Sequence, residues 1–294
     1  MKRTTLSTQR MGPRLVGPLV VGAAVLAFAA HPSGVSQPTV TTIDVPGAAA
    51  TSAFRINARG QIVGAYVDAG GTGHGFLLDK GAFTTIDVPG ATGTGAFGIN
   101  NSGAIVGAYL DANGSEHGFL LDDGVVTTID PPGATLTDAF DLNDLGQIVG
   151  HYVDGNGVTH GFLFEKGVFT AIDPPGSVFS QAIGVNAAGQ VVGAFEAPTH
   201  HGFLLTKGEF VTIDVPGPTS TDALGINATG EIVGRYVGVD GIHHGFLLSA
   251  GAYTTIDPPG SVFTQAIGIN SHGDIVGDYQ DENGVFHGFL ARMK

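Results

Sequence analysis

Several features are scarce or missing in this chain of 294 residues, and each absence narrows what the protein can be. Cysteine is absent, so no disulfide framework holds the fold and no cysteine nucleophile is available. The absence also fits an exported bacterial-type protein that avoids unwanted disulfides. Cations are few, with 12 Lys and Arg against 26 Asp and Glu. Because an acidic surface repels nucleic acid and anionic lipid, we expect neither as a partner.

Long apolar runs are also missing, apart from one near the N-terminus. Residues 15–30 form an apolar run of 16, interrupted by Pro18 and two glycines and ending in a small-x-small pattern at 27–29. Four cations and no acid precede it: Lys2, Arg3, Arg10 and Arg14. Since a membrane span needs roughly 20 apolar residues, the pattern favours a signal peptide over residues 1–30 rather than an anchor.

Removal of this leader would leave eight Lys and Arg against 26 acids, a net charge of −18 with His neutral. We therefore expect an acidic, secreted or extracellular protein, with the periplasm and the cell surface as alternatives. No stable membrane span would remain after the leader is removed, and the sequence does not indicate an oligomeric state. A linker over 31–40 and one domain over 41–294 are predicted, the latter long enough to bury a sizeable core.

Local enzyme motifs are absent as well. The sequence has no Gly-x-Ser-x-Gly elbow, no phosphate-binding loop and no His-Glu-x-x-His motif. A pair of carboxylates on loops would leave no such local signature, so catalysis stays open and no catalytic residue can be assigned.

A motif of about 43 residues is repeated six times, and this repeat predicts the fold. Its fixed points are Ile-Asp-x-Pro-Gly, Asn-x-x-Gly, Val-Gly and His-Gly-Phe-Leu. The repeating aspartates are Asp44, Asp87, Asp130, Asp173, Asp214 and Asp257, and the histidines are His74, His117, His160, His201, His244 and His287. The fourth copy lacks two residues between Phe195 and His201.

Each repeat predicts four short strands joined by three hairpin turns and one crossover. In the second and third copies the strands are expected at 96–100, 105–110, 117–121 and 125–130, separated by Gly, Asn and Asp. The crossover carries a fixed Pro-Gly, and proline cannot donate to a sheet ladder. This arithmetic is typical of a β-propeller blade, whereas a parallel β-helix would have shorter rungs.

The phase of the repeat predicts how the ring closes. The domain begins on an outer-type strand at 41–44 and ends on a third-type strand at 287–290. We therefore predict an all-β, six-bladed propeller of four-stranded antiparallel blades, closed by the N-terminal strand joining the C-terminal blade. We also expect small and large residues to alternate along each inner strand, as in Ala96, Phe97, Gly98 and Ile99, so that facing blades interdigitate.

The motif string resembles the HAF-repeat family of probable extracellular repeat proteins. The matching segments are Gly-Ile-Asn-x-x-Gly-x-Ile-Val-Gly-x-Tyr at 98–109, His-Gly-Phe-Leu at 117–120 and Thr-Thr-Ile-Asp-x-Pro-Gly at 127–133. The resemblance covers 41–294, with conservative departures at Leu142, Val185 and Phe195. It implies export and a repeat fold, and it brings no reaction, cofactor or catalytic residue.

The repeated polar residues favour structural roles. The six histidines lie too far from the axis to share an ion, so we expect each to bond to backbone or to a repeating aspartate, and we predict no metal site. Turns such as Asp111-Ala112-Asn113-Gly114 suit positive φ angles better than calcium, which stays an alternative cofactor. The inner-strand asparagines are expected to cap turns. These are Asn57, Asn100, Asn143, Asn186, Asn227 and Asn270.

Residues that differ between copies are better candidates for a ligand site, because the scaffold explains whatever all copies share. We place them in the crossovers and in the shortened loop of the fourth copy, on one face of the ring. The candidates are Asp138, Phe179, Gln181, Glu196, His200, Asp222, Phe263 and Gln265. Pro198 and Thr199 in that loop also differ.

An aromatic beside an amide, as in Phe179-Ser180-Gln181, suits a sugar or a peptide. The main hypothesis is a non-catalytic binding or surface-interaction module for an extracellular glycan, peptide or protein. A secreted hydrolase or lyase acting on a glycan or peptide is the first alternative. A structural component of an extracellular matrix is the second.

Overall fold

The computed structural model describes residues 38–217 and 220–293, and within them every regular element is a β-strand. The strands form six sheets of four, and the sheets examined along their registers are antiparallel. Inner strands of neighbouring sheets are in contact around a closed ring. The chain is therefore a six-bladed β-propeller, as predicted. The leader predicted over 1–30 lies outside the described residues.

Strands in each blade follow chain order from the centre outwards, except in the last blade. The inner strands are β2 (Ala50–Ile56), β6 (Gly93–Ile99), β10 (Leu136–Leu142), β14 (Phe179–Val185), β18 (Thr221–Ile226) and β22 (Phe263–Ile269). The second strands are β3 (Ile62–Val67), β7 (Ile105–Leu110), β11 (Ile148–Val153), β15 (Val191–Glu196), β19 (Ile232–Val237) and β23 (Ile275–Gln280). The third strands are β4 (Gly73–Asp79), β8 (Glu116–Asp122), β12 (Thr159–Glu165), β16 (His200–Thr206), β20 (His243–Ser249) and β24 (Phe286–Arg292). The outer strands are β1 (Thr39–Ile43), β5 (Ala82–Ile86), β9 (Val125–Ile129), β13 (Val168–Ile172), β17 (Glu209–Ile213) and β21 (Ala252–Ile256).

The last blade is completed from the other end of the chain. Strand β1 pairs antiparallel with β24, with Thr39 opposite Arg292 and Ile43 opposite Gly288. The predicted closure is confirmed. Because β1 begins at Thr39, the last two residues of the segment predicted as linker belong to the sheet.

A phenylalanine at the centre of each blade explains two fixed points of the repeat. The phenylalanine of each His-Gly-Phe-Leu segment is fully buried, as Phe119 illustrates. It packs over the glycine of the Val-Gly pair: a Cβ on Gly107 would lie 2.8 Å from the Phe119 ring and 1.9 Å from the carbonyl oxygen of Gly95. The two motifs therefore form one packing unit that excludes any larger residue at the glycine.

The inner strands depart from the prediction in two ways. They begin three residues earlier than expected, as shown by Gly93 pairing with Leu110. They also carry a β-bulge, at Phe97 in the second blade, which ends the expected alternation of small and large residues. Bulged residues of neighbouring blades pack near the centre of the ring, with Phe54 and Phe97 5.4 Å apart between ring centroids. The bulged positions are Phe54, Phe97, Phe140, Ile183, Leu224 and Ile267.

One further observation concerns membranes. Within residues 38–217 and 220–293, no helix is long and apolar enough to cross a bilayer.

Candidate functional site

The ring has two chemically different ends. At the asparagine end lie the turns that follow each inner strand and each third strand. At the crossover end lie the Pro-Gly crossovers and the turns between second and third strands. The predicted site residues all lie towards the crossover end.

Six of the eight predicted residues belong to strands rather than to crossover loops, which corrects the prediction. Each pairs with a second strand, as Asp138 does with His151 and Gln181 with Ala194. The hairpin extends this far because the residues before the repeating alanine still find ladder partners. The corrected positions are Asp138 in β10, Phe179 and Gln181 in β14, Asp222 in β18, and Phe263 and Gln265 in β22. Glu196 ends β15 and is exposed, and His200 begins β16 across the shortened loop.

Three of these residues meet in a hydrogen-bonded cluster that spans the fourth to sixth blades. The buried carboxylate of Asp222 accepts hydrogen bonds from Nε2 of His200 and Nε of Arg235. Arg235 also donates from Nη1 to Oε1 of Gln265 over 3.1 Å. Burial alone would raise the pKa of Asp222, but His200 and Arg235 outweigh it and hold that pKa below its usual value. Asp222 is therefore ionised, and its hydrogen bond raises the pKa of His200.

A second cluster, between the second and fourth blades, has the opposite electrostatic character. Burial, reinforced by the nearby Glu116, raises the pKa of Asp138 to about 8. Burial also lowers the pKa of His151 to about 4, which leaves the imidazole neutral near pH 7. Nδ1 of His151 lies 3.4 Å from Nε2 of Gln181 and 3.7 Å from Oδ2 of Asp138. Oδ1 of Asp138 is buried and has no hydrogen-bond partner among the described residues.

The two predicted phenylalanines are half-buried and contact imidazoles. Phe263 lies 5.0 Å from His243 and 5.6 Å from Phe286, between ring centroids. Phe179 lies 6.2 Å from His200 within its own blade. The crossover end thus combines aromatic faces with hydrogen-bond donors and acceptors of both signs.

Sequence reasoning missed His151, Arg235 and Asp278, which lie on second strands opposite predicted residues. The signal was present, because the other three copies have alanine at this repeat position, as in Ala65. Burial raises the pKa of Asp278 to about 6, although Ser52 and Gln265 act to lower it.

The asparagines at the opposite end cap turns, as predicted, and they also join the blades. Oδ1 of Asn143 accepts hydrogen bonds from the backbone N–H groups of Leu145 and Gln147, while its Nδ2 donates to the carbonyl oxygen of Asn186 in the next blade. The same side-chain to backbone link is repeated around the ring. The donor and acceptor pairs are Asn57–Asn100, Asn100–Asn143, Asn143–Asn186, Asn186–Asn227, Asn227–Asn270 and Asn270–Asn57. An axial cavity of about 130 Å³ lies at this end.

Arg55 and Asp141 form an ion pair beneath that cavity, which sequence reasoning also missed. They replace the glycine that four copies have at this repeat position, and both are at least nine-tenths buried. Nε of Arg55 lies 3.3 Å from Oδ2 of Asp141. The two Nη atoms donate to the carbonyl oxygens of four residues: Phe54, Ile183, Leu224 and Ile267. The guanidinium of the first blade thus contacts the third, fourth, fifth and sixth.

The six repeating histidines bond to the repeating aspartates, which confirms the prediction. In each blade Nδ1 of the histidine meets the carboxylate of the Ile-Asp-x-Pro-Gly motif. The pairs are His74–Asp87 (2.9 Å), His117–Asp130 (2.7 Å), His160–Asp173 (3.0 Å), His201–Asp214 (2.9 Å), His244–Asp257 (2.7 Å) and His287–Asp44 (3.0 Å). The last pair joins the two ends of the domain. Across the part of the chain that is described, no group of three or more His, Cys, Asp or Glu side chains is arranged to hold a metal ion.

The Asp-x-Asn-Gly segments form turns, also as predicted. Oδ1 of Asp111 accepts from the backbone N–H groups of Asn113 and Ser115, and Gly114 has a φ of 82°. The carboxylate therefore stabilises the hairpin connection directly.

Comparison with known proteins supports the fold. No protein-family model matches the sequence, and no curated protein sequence matches it significantly. Among solved structures, the chain is similar to the AofleA triple mutant from Arthrobotrys oligospora, with a TM-score of 0.56 and 14% identity over 87% of each chain. It is similar to the Aleuria aurantia lectin in complex with Fucα1-6GlcNAc, with a TM-score of 0.52 and 13% identity over 82% of this chain and 91% of the lectin. TolB from Acinetobacter baumannii has a TM-score of 0.51 at 10% identity, over 84% of this chain and 64% of TolB.

Proposed function

We propose that this protein is a secreted, non-catalytic carbohydrate-binding propeller of the HAF-repeat kind, with its ligand site at the crossover end of the fourth to sixth blades. The observation that carries the proposal is the departure from sixfold symmetry there. Arg235, Gln265 and His243 provide donors and acceptors beside the face of Phe263. Sugars present hydroxyl groups on their edges and C–H groups on their faces, which this combination suits.

The propeller likeness to a lectin crystallised with a fucosylated disaccharide agrees with this class of ligand. Charge agrees as well, since a net charge of −14 disfavours polyanionic partners such as nucleic acid. Export is part of the proposal and rests on the leader at 1–30. It predicts that protein recovered from the culture medium begins near residue 30.

A glycan array identifies the ligand, and calorimetric titration of the bound glycan then tests the site. Gln265→Ala and Phe263→Ala should each weaken binding about tenfold, the loss of one good polar or stacking contact. Glu209→Gln, an exposed change on β17, is the control and should leave affinity unchanged. Binding that survives substitutions at Gln181, Phe263 and Gln265 would place the ligand elsewhere.

A hydrolase acting on the bound glycan is the second candidate, and one observation favours it. The pKa of Asp138 is raised to about 8 while that of Asp222 is lowered, so near pH 7 one carboxyl is protonated and the other ionised. Such divergence is what acid and base roles in glycoside hydrolysis require. Release of reducing ends that is abolished by Asp138→Asn, with binding retained, would replace the binding-only proposal.

A further inference from the structure

A second cleft lies at the asparagine end, on the opposite side of the ring from the candidate glycan site. It has a volume of about 580 Å³ and is bordered by turns of the fifth and sixth blades. Leu247, Ile269 and Met293 provide apolar walls, and Glu231 and Ser249 provide polar groups. The volume falls in the range of about 300 to 1,000 Å³ that small-molecule sites occupy.

Glu231 carries a charge that the scaffold does not need. At the same repeat position three other blades have glutamine: Gln61, Gln147 and Gln190. Each glutamine accepts the hydrogen bond from its turn asparagine, as in Asn143–Gln147 at 2.7 Å. Oε2 of Glu231 accepts the equivalent bond from Asn227 at 2.8 Å. Because an amide completes the turn equally well, the carboxylate charge has another role or none.

The charge of Glu231 also has no counter-ion among the described residues. Oε1 accepts a hydrogen bond from the Ser249 hydroxyl at 2.8 Å, and the bonds from Asn227 and Ser249 lower the pKa of Glu231, which keeps it ionised. No ion pair joins it to a Lys, Arg or His within 38–217 and 220–293. The sixth blade offers a contrast, because Asp274 at the same repeat position has Nε of Arg292 at 3.4 Å.

We propose that this cleft binds a ligand that carries a primary ammonium group on an alkyl stem. The ammonium lies at Glu231, where the hydroxyl groups of Thr229 and Ser249 are further acceptors. The stem lies along the apolar wall. An ammonium group fits because it offers three donors and a compact charge to a cleft whose polar groups are mainly oxygens. This site is independent of the crossover-end proposal.

Calorimetric titration of the full chain tests the proposal with two probes, 1,5-diaminopentane and Nα-acetyl-L-lysine methylamide, which distinguish a free amine from a lysine side chain. We expect at least one to bind, and 1,5-pentanediol to bind at least about tenfold more weakly because it lacks the charge. Added salt should weaken amine binding.

Glu231→Gln is the informative variant, since Gln61, Gln147 and Gln190 show that the turn accepts glutamine. It should weaken amine binding about tenfold or more with the melting temperature nearly unchanged. Asp274→Asn is the matched control, which removes the same charge from the equivalent position of the next blade and should leave affinity unchanged. The proposal is overturned if neither amine binds, if Glu231→Gln binds as tightly as the parent, or if Asp274→Asn weakens binding equally.

Discussion

Replacing Arg55 by methionine retains much of the side-chain volume near the ring centre and removes the guanidinium. The loss affects the carboxylate of Asp141, which is 7% exposed, and the carbonyl oxygens of Ile183, Leu224 and Ile267. Breaking one partner of a buried ion pair costs about 3–5 kcal/mol because an uncompensated charge stays behind. The carbonyls add less than their full desolvation penalty, since the axial cavity above them admits water. We therefore expect Arg55→Met to lower the free energy of unfolding by about 4 kcal/mol.

The double variant separates the ion pair from the packing. Asp141→Leu alone leaves the guanidinium of Arg55 without its carboxylate and should cost a similar amount. Replacing both residues removes both charges, so the cost of the double variant should fall well below the sum of the single costs. A coupling energy of at least about 2 kcal/mol is expected for residues in one buried network.

The pH dependence provides an independent check. Burial raises the pKa of Asp141, and the charge of Arg55 acts against it. Without Arg55 that pKa rises further, so in Arg55→Met the folded state gains a proton that the unfolded state lacks. The cost of the substitution should therefore be larger at pH 8 than at pH 5.

Chemical denaturation followed by tyrosine fluorescence and circular dichroism measures both effects. A cost of Arg55→Met below about 1 kcal/mol, or a double variant whose cost equals the sum of the single costs, would refute the reasoning.

Three further predictions follow from the same contacts. Gly150→Ala should destabilise the fold by on the order of 3 kcal/mol, because its Cβ would lie 2.0 Å from the carbonyl oxygen of Asp138 and 2.7 Å from the Phe162 ring. Gly155→Ala, where a Cβ meets nothing within 4 Å, should change stability by less than about 0.5 kcal/mol in the same denaturation assay. Asn143→Ala should cost about 2 kcal/mol, through the lost turn cap and the lost bond to the next blade, and a neutral melting temperature would contradict this. Since the pKa of Asp138 is raised to about 8, its contribution to stability is full below pH 4 and is lost as pH rises to 8, by up to about 1.4 kcal/mol per pH unit; Asp138→Asn should flatten this slope, and an unchanged slope would contradict the shift.

The fold followed from the sequence because the repeat encodes both its strands and its phase. The third strand His117-Gly118-Phe119 and the aspartate of the following motif were predicted to meet, and His117 bonds to Asp130 over 2.7 Å. The closing strand was predicted from phase alone, since a domain that begins on an outer-type strand must complete its last blade with it. These inferences need only the repeat period and hairpin geometry.

The inner-strand boundaries were misplaced for a local reason. Residues 93–95 are Gly-Thr-Gly, which reads as a loop because two of three positions have no side chain suited to a sheet. In the ring this strand end packs against the neighbouring blade, as the contact between a Gly93 Cβ and the carbonyl oxygen of Gly73 at 3.7 Å indicates. Tertiary packing, and not local propensity, sets the boundary.

The candidate site was only partly predicted, because deviations were compared in the crossovers and not along every column of the repeat. Asp222 and Gln265 were found, whereas Arg235, which bonds to both, was missed. Arg55 and Asp141 were missed in the same way, although opposite charges at a glycine position are visible without coordinates. The pairing of two such deviations from different blades still required the structure, since a column does not say which blades face each other across the axis.

Departures from the repeat differ in whether the chain itself compensates them, and this difference separates scaffold from site. Arg55 and Asp141 compensate each other, and every donor of the guanidinium faces an acceptor, so their role is structural. Asp138 retains a buried oxygen without a partner among the described residues, and Glu231 retains a charge without a counter-ion there. A buried or partly enclosed polar group is costly when unpaired. The scaffold offers a less costly residue at both positions, glycine or glutamine for the first and glutamine for the second. The two uncompensated groups are therefore the positions where binding of an outside molecule would lower the free energy most, one at each end of the ring.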